Sequence, residues 1–215
     1  MNADIPKQYL SIHHKPLALY SFEVFLAMPE MEEMVVVCDP QYESLFMVNR
    51  GSKNITFASP GLRRQDSVYN GLQKLKSLNE DQLICIHDSV RPLIDTALVE
   101  RVIQMAGQSK AAVAGIQVKS TIKLCDDAHN VVQTLDRSHL WEIQTPQAIT
   151  LKLLKEGFKL VQEQNLTVTD DVSIVELMGK PVKVVEGSYT NIKVTTPEDL
   201  ILVQQLLEKK CPATN

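Results

Sequence analysis

The stretch Leu83-Ile84-Cys85-Ile86-His87-Asp88-Ser89-Val90-Arg91-Pro92 decides how this chain folds. Four apolar residues in a row fit a strand buried on both faces, the kind found inside a parallel sheet. The run then changes character and puts a carboxylate, a hydroxyl and a guanidinium into one turn. Working outward, Met34–Cys38 is a second short apolar run, closed by Asp39-Pro40, and Asn54–Ala58 is a weaker one, ended by Ser59-Pro60-Gly61. Ala111–Val118, Val182–Val185 and a short Ile192–Val194 complete the predicted strands. Helical spacing lies between them. Val68, Leu72 and Leu75 share a face over residues 64–77, and Leu98, Val102 and Met105 share one after Asp95 or Thr96, either of which can cap. Residues 150–163 and 170–178 read as two more helices, the second with Asp170 or Asp171 in its first turn. Thr196-Pro197-Glu198-Asp199 opens a last helix with a hydroxyl cap, proline at the first position and acids after it.

Strands alternating with helices predict an α/β fold, a Rossmann-like, mainly parallel sheet with helices on both faces. The segment 119–135 departs from that rhythm. Ile122 and Leu124, then Val131, Gln133 and Leu135, alternate around the loop Asp126–Asn130, which predicts a protruding β-hairpin arm. At 215 residues the chain fits one domain with one core. A net charge of −4 argues against general nucleic-acid or membrane binding while allowing a local basic pocket for a small anion. Cys38, Cys85, Cys125 and Cys211 show no C-x-x-C spacing, which points to a reducing cytoplasm without disulfides or zinc. No apolar stretch is long enough for a membrane span, and no basic head precedes a hydrophobic run as in a signal peptide.

In open α/β sheets, ligands bind beyond the carboxyl ends of the strands. Asp88, Ser89 and Arg91 belong there, and can contact a ribose, a phosphate or a phosphate-bound metal, or can simply order a strand-to-helix turn. His87 reads as a structural hydrogen-bonder. Arg64 and Ser67 open a helix, where they suit a nucleotide phosphate or base, or serve only the cap. Lys7, beside the rigid Pro6, can neutralise a phosphoryl group or lie solvated on the surface. Arg137 after the hairpin and Lys193 near the end offer a second anion site. Two anion sites at one sheet mouth suggest the joining of a nucleotide to a phosphorylated compound. No Ser-His-Asp or Cys-His arrangement is evident, so no covalent nucleophile is expected.

One feature is missing from that picture. The eight glycines, Gly51, Gly61, Gly71, Gly107, Gly115, Gly157, Gly179 and Gly187, are all isolated, and no G-x-G occurs. Backbone N–H groups approach a triphosphate closely only where side chains are absent.

The motifs Pro6–Leu10, the R-x-D-S-V run Arg64–Val68, HDSVRP at 87–92, Asp136-Arg137, TPQ at 145–147, TDD at 169–171, Glu186-Gly187 and NIKVTTPEDL at 191–200 stand in one order. In that order the chain resembles the 2-C-methyl-D-erythritol 4-phosphate cytidylyltransferase family over about residues 5–208. The resemblance implies transfer of CMP from CTP to methylerythritol phosphate, with release of pyrophosphate, in non-mevalonate isoprenoid synthesis. It implies Mg²⁺, with Asp88 as the candidate ligand, and a homodimer built on the 119–135 hairpin. It assigns Lys7 to transition-state stabilisation, and Gly61, Arg64, Ser67, Asp88, Ser89 and Arg91 to the nucleotide. It assigns Arg137 and Lys193, with Thr121 and Thr145, to the sugar phosphate. Ser89 stands where the family often has alanine. The family's first strand and A-A-G-x-G-x-R-M loop have no counterpart, since Met1 falls where that motif's methionine would be. A start placed too late is the expectation, and the missing strand would be central in the sheet. The alternatives are a ribitol- or ribulose-5-phosphate cytidylyltransferase and a non-catalytic nucleotide-binding remnant.

Overall fold

The structure is a computed structural model and describes residues 5–47, 53–76 and 79–210. A single 3₁₀ turn at Lys7–Tyr9 leads into two short antiparallel strands, β1 (Ser11–Ile12) and β2 (Lys15–Pro16), and then α1 (Leu17–Ala27). Next come β3 (Glu33–Val37), a 3₁₀ stretch at Pro40–Phe46, β4 (Asn54–Ala58), α2 (Arg64–Leu72) and β5 (Leu83–Ile86). The second half adds α3 (Thr96–Ser109), β6 (Ala111–Gln117), the hairpin β7 (Lys123–Cys125) and β8 (Val131–Thr134), β9 (Trp141–Thr150), α4 (Leu151–Glu163), α5 (Ser173–Leu177), β10 (Lys183–Glu186) and α6 (Pro197–Lys210).

The main sheet runs β10-β6-β9-β5, and β3-β4 form a separate parallel pair. β10 is parallel to β6, but β9 lies antiparallel to both β6 and β5, so the main sheet is mixed. Sequence reading does not find β9, because Pro146 in its middle argues against a central strand. The strand tolerates it because the ladder is interrupted there. Val113 pairs with Gln147 and the next pair is Gly115 with Ile143, so Gln144–Pro146 fall in the irregular step. Two other expectations need correction. Ile192–Val194 forms no strand. It is a segment without regular structure whose Val194 N–H donates to Val90 C=O (2.9 Å), in the turn after β5. The helix expected over 170–178 shortens to Ser173–Leu177: Asp170 stays ahead of it, accepting from Ser173 N–H (3.0 Å), and Asp171 turns into the interior.

Successive residues of β6 and β9 point to opposite faces, so each face gathers its own core. Val113 and Ile149 pack with Leu151, Leu154 and Phe158 of α4 and with Ile174 and Val175 of α5. Ala112, Ala114 and Ala148 meet Leu98, Val99, Val102 and Ala106 of α3, where the small strand residues let the helix sit close. Asp95 caps that helix through Leu98 N–H (2.8 Å).

A groove of about 440 Å³ separates the two sheets. Met34–Val37 of β3 line one side and Leu83–His87 the other, with Phe22 and Phe25 of α1 and Val68 and Leu72 of α2 among its walls. Among the described residues, β3 pairs only with β4, and β5 only with β9. Residues of both strands are apolar throughout β5 and over Met34–Val37, yet none is fully buried, because the facing edges are open.

The α4–α5 contact is tight enough to test. A Cβ on Gly157 would lie 2.1 Å from Ile174 Cγ2. Gly157→Ala should therefore destabilise the protein by about 1–3 kcal/mol through overpacking. That outweighs the roughly 1 kcal/mol gained in helix propensity. Urea unfolding of the two proteins measures the difference.

Candidate active site

Asp88 lies two residues past the end of β5 and is the centre of the site. Its backbone N–H donates to Thr145 Oγ1 (3.0 Å), which ties the strand end to β9. Its carbonyl accepts from Arg91 N–H (2.9 Å), closing the turn. Three cations surround its carboxylate. Arg64 Nε donates to Oδ1 (2.9 Å), Lys193 Nζ donates to Oδ2 (2.8 Å), and Arg91 Nε stands 3.9 Å from Oδ2. Burial pushes the Asp88 carboxyl up, but Arg64 and Lys193 outweigh it and hold it at about 2.

Each cation is placed by a different element. Arg64 is the first residue of α2, whose start is fixed by Asp66 Oδ2 accepting from Arg63 N–H (3.0 Å). Its terminal nitrogens fork onto the buried Asp171, at 2.9 and 2.7 Å. Burial works against the Arg64 charge, but Asp171 and Asp88 more than compensate, so the guanidinium is held more firmly charged than in water. Arg91 is buried and donates from Nη1 to Asn191 C=O (2.7 Å). Asn191 Nδ2 donates to Thr145 C=O (2.8 Å) and Gln144 Oε1 (3.2 Å), which carries the segment holding Lys193 to Asp88.

Gly61 and Ser67 belong to the same corner. Ser67 Oγ accepts from Gly61 N–H (2.9 Å), and a Cβ at Gly61 would lie 2.4 Å from Asp66 Cβ, so no side chain fits there. Arg64, Ser67, Asp88 and the exposed Ser89 line the groove between the sheets. Gln8 and Tyr9 line it as well, and Lys7 begins their turn, partly exposed.

Thr145 is buried, and its hydroxyl is engaged on two sides. It accepts from Asp88 N–H and lies 3.0 Å from His87 Nδ1. His87 Nε2 faces Arg91 C=O (3.1 Å), an acceptor only, so Nε2 carries the proton and Thr145 donates to Nδ1. Arg137 and Thr121 lie elsewhere, exposed at the base of the hairpin. Arg137 Nη1 donates to Lys119 C=O (2.6 Å) and lines a separate hollow of about 430 Å³ with Gln117, Lys119, Asp136 and Tyr189. Arg137 therefore lines a hollow apart from the groove that Asp88 lines. Sequence reading missed the working parts of Asp171, Gln147 and Asn191. Their motifs were visible, but which neighbour each touches depends on contacts 24–107 residues apart.

The family model for 2-C-methyl-D-erythritol 4-phosphate cytidylyltransferase matches residues 1–209. The chain belongs to this family. It is 50% identical to the chloroplastic 2-C-methyl-D-erythritol 4-phosphate cytidylyltransferase of Oryza sativa, over 98% of this chain and 71% of that protein. It is 40% identical to the enzyme of that name from Geobacillus thermodenitrificans, over 98% of this chain and 92% of that one. The crystal structure of 4-diphosphocytidyl-2C-methyl-D-erythritol synthase from Anaerococcus prevotii superimposes with a TM-score of 0.86 at 28% identity, covering 94% and 93% of the two chains. The Thermus thermophilus cytidylyltransferase gives 0.79 at 29%, covering 94% and 93%.

For a cytidylyltransferase, one carboxylate among three cations fits a metal carried by the nucleotide. Among the described residues, no three His, Cys, Asp or Glu side chains converge into a cage. A Mg²⁺ carried by phosphates and waters would need none, and Asp88 is the carboxylate that would be offered to it. No helix among the described residues is long and apolar enough to cross a membrane.

Burial holds the His87 imidazole at about 4, with the hydrogen bond to Arg91 only partly opposing it. Between pH 6.5 and 4 the unfolded chain binds a proton that the folded chain does not. The stability present above pH 6.5 should therefore fall by up to about 3 kcal/mol as pH drops toward 4. Asp88 adds a further loss between its ordinary pKa and about 2. His87→Gln should flatten the upper part of this decline, read from urea midpoints at pH 7.5, 5.5 and 4.5.

Proposed function

We propose that this chain transfers CMP from CTP to 2-C-methyl-D-erythritol 4-phosphate, giving 4-diphosphocytidyl-2-C-methyl-D-erythritol and pyrophosphate. The observation that carries the reading is Asp88 at the end of β5, gripped by Arg64 and Lys193 with Arg91 beside it, in a chain of this family. In this reading, Gly61, Arg64, Ser67, Asp88, Ser89 and Arg91 form the nucleotide side. An oxygen of the sugar phosphate attacks the α-phosphorus of CTP in line. A new P–O bond forms, the bond to the β-phosphate oxygen breaks, and its electron pair leaves with pyrophosphate. The protein positions the two anions and neutralises their charge. Lys7 serves the reacting phosphoryl group, and Lys193 receives the sugar phosphate. Mg²⁺, with Asp88 as its protein ligand, would spread the triphosphate charge. Thr145, with its hydroxyl engaged, supports this side by holding Asp88 and His87 in place.

Arg137 and Thr121 complete the sugar-phosphate subsite from a second copy in our reading. The hairpin that carries them has few neighbours of its own, and Leu124, Val131, Val132, Trp141 and Ile143 on and beside it are exposed apolar residues. A homodimer covers them. Free thiols at Cys38, Cys85 and Cys125 suit a reducing compartment, the cytoplasm in this reading.

Competing turnover assays with CTP and methylerythritol, ribitol or ribulose phosphate test the acceptor, and preference for either of the last two would overturn it. Arg137→Ala should raise the KM for the sugar phosphate by about tenfold or more and leave that for CTP within about twofold. Lys193→Ala should raise both, because Lys193 also holds Asp88. Sedimentation should show a dimer, and a monomer at high micromolar concentration would contradict the hairpin assignment.

A further inference from the structure

We propose that Asp171 is a positioning residue of the nucleotide side: it sets the Arg64 guanidinium, and through it the Asp88 carboxylate. The proposal rests on the assignment of Arg64 and Asp88 to CTP. Asp171 is 1% exposed, so no ligand reaches it directly. Its two oxygens accept one N–H from each terminal nitrogen of Arg64, the planar two-point fit that fixes both distance and rotation. The remaining edge of the same guanidinium gives Nε to Asp88 Oδ1. Of the five Arg64 N–H groups, three are thus spoken for by carboxylates. The other two, one on each terminal nitrogen, belong to a side chain that is about one-third exposed and lines the groove. Asp171 therefore selects which N–H groups remain available to an anion.

Asp171 is itself held from the sheet. Gln147 Oε1 accepts from Asp171 N–H and Val172 N–H, both at 2.9 Å. Gln147 Nε2 donates to Gln144 C=O (3.2 Å) and Asp170 Oδ2 (3.1 Å), so this amide is fully engaged. Gln147 lies on β9 directly opposite Ile86 of β5. The contacts close a circuit from β5 across to β9, out to Asp171, through Arg64 and back to Asp88. Charge closes it too. Three cations face Asp88, and Asp171 balances one of them, so Arg64 is not free to wrap both oxygens of Asp88.

The test compares Asp171→Asn, Asp171→Glu and Val172→Ala in the full chain. In the unsubstituted protein, ¹⁵N-arginine NMR should show Arg64 with distinct terminal-nitrogen signals and a protected Nε–H. Asp171→Asn should merge the terminal signals and raise the KM and Kd for CTP by about tenfold or more, while the sugar-phosphate KM stays within about twofold. Asp171→Glu should recover part of the CTP affinity. Val172→Ala should lower stability without changing the ratio of the two KM values. The proposal is overturned if Asp171→Asn keeps the clamped Arg64 signals. It is equally overturned if that variant binds CTP unchanged, or if it and Val172→Ala weaken both substrates alike. Failure of the unsubstituted chain to bind CTP would instead refute the nucleotide assignment, and the Arg64 signals would still decide whether Asp171 sets the guanidinium.

Discussion

Lys193 Nζ and Arg64 Nε reach opposite oxygens of the Asp88 carboxylate, and that three-way contact is where the distant parts of the chain are joined. Asp88 comes from the end of β5, Arg64 from the start of α2 and Lys193 from the segment before α6. A carboxylate this buried is costly to ionise without partners, and two direct cations with Arg91 nearby supply them. The same partners must be held apart from each other. Asp171 does this for Arg64, and Asn191 C=O does it for Arg91.

Beneath that contact lies a neutral support. Thr145 joins Asp88 N–H to His87, and His87 joins Arg91 C=O, so the turn from 87 to 91 is braced by hydrogen bonds that carry no net charge. β9 supplies Thr145 and Gln147, and both are buried polar residues with engaged partners. The interrupted pairing between β6 and β9 is what turns Gln144 toward Ser188 and Asn191 instead of into a regular ladder. A strand that breaks a local rule thus sits beside the site, the usual place for such an exception.

Among the described residues, the two sheets meet across a groove and share no ladder. That openness explains why the apolar residues of β3 and β5 are only partly covered although their sequences demand burial on both faces. Asp88 and Ser89 line the same groove as those apolar residues, so the apolar space runs up to the charged cluster.

The sequence by itself determined the alternation of strands and helices, the hairpin, and the residues that crowd the end of β5. These follow from short-range chemistry: unbroken apolar runs, caps within three residues, and a turn that begins where the apolar run stops. It determined the family as well, because a set of weak motifs in fixed order is far more specific than any one of them. Only the tertiary structure decided the mixed sheet, since Pro146 hides β9 from any rule based on local preference. Only it showed that Lys193 rests on Asp88 while Arg137 stands in another hollow, and that Asp171 faces Arg64 instead of capping a helix. Those outcomes depend on which side chains come within 3 Å across 100 residues of chain, and no local pattern encodes that distance.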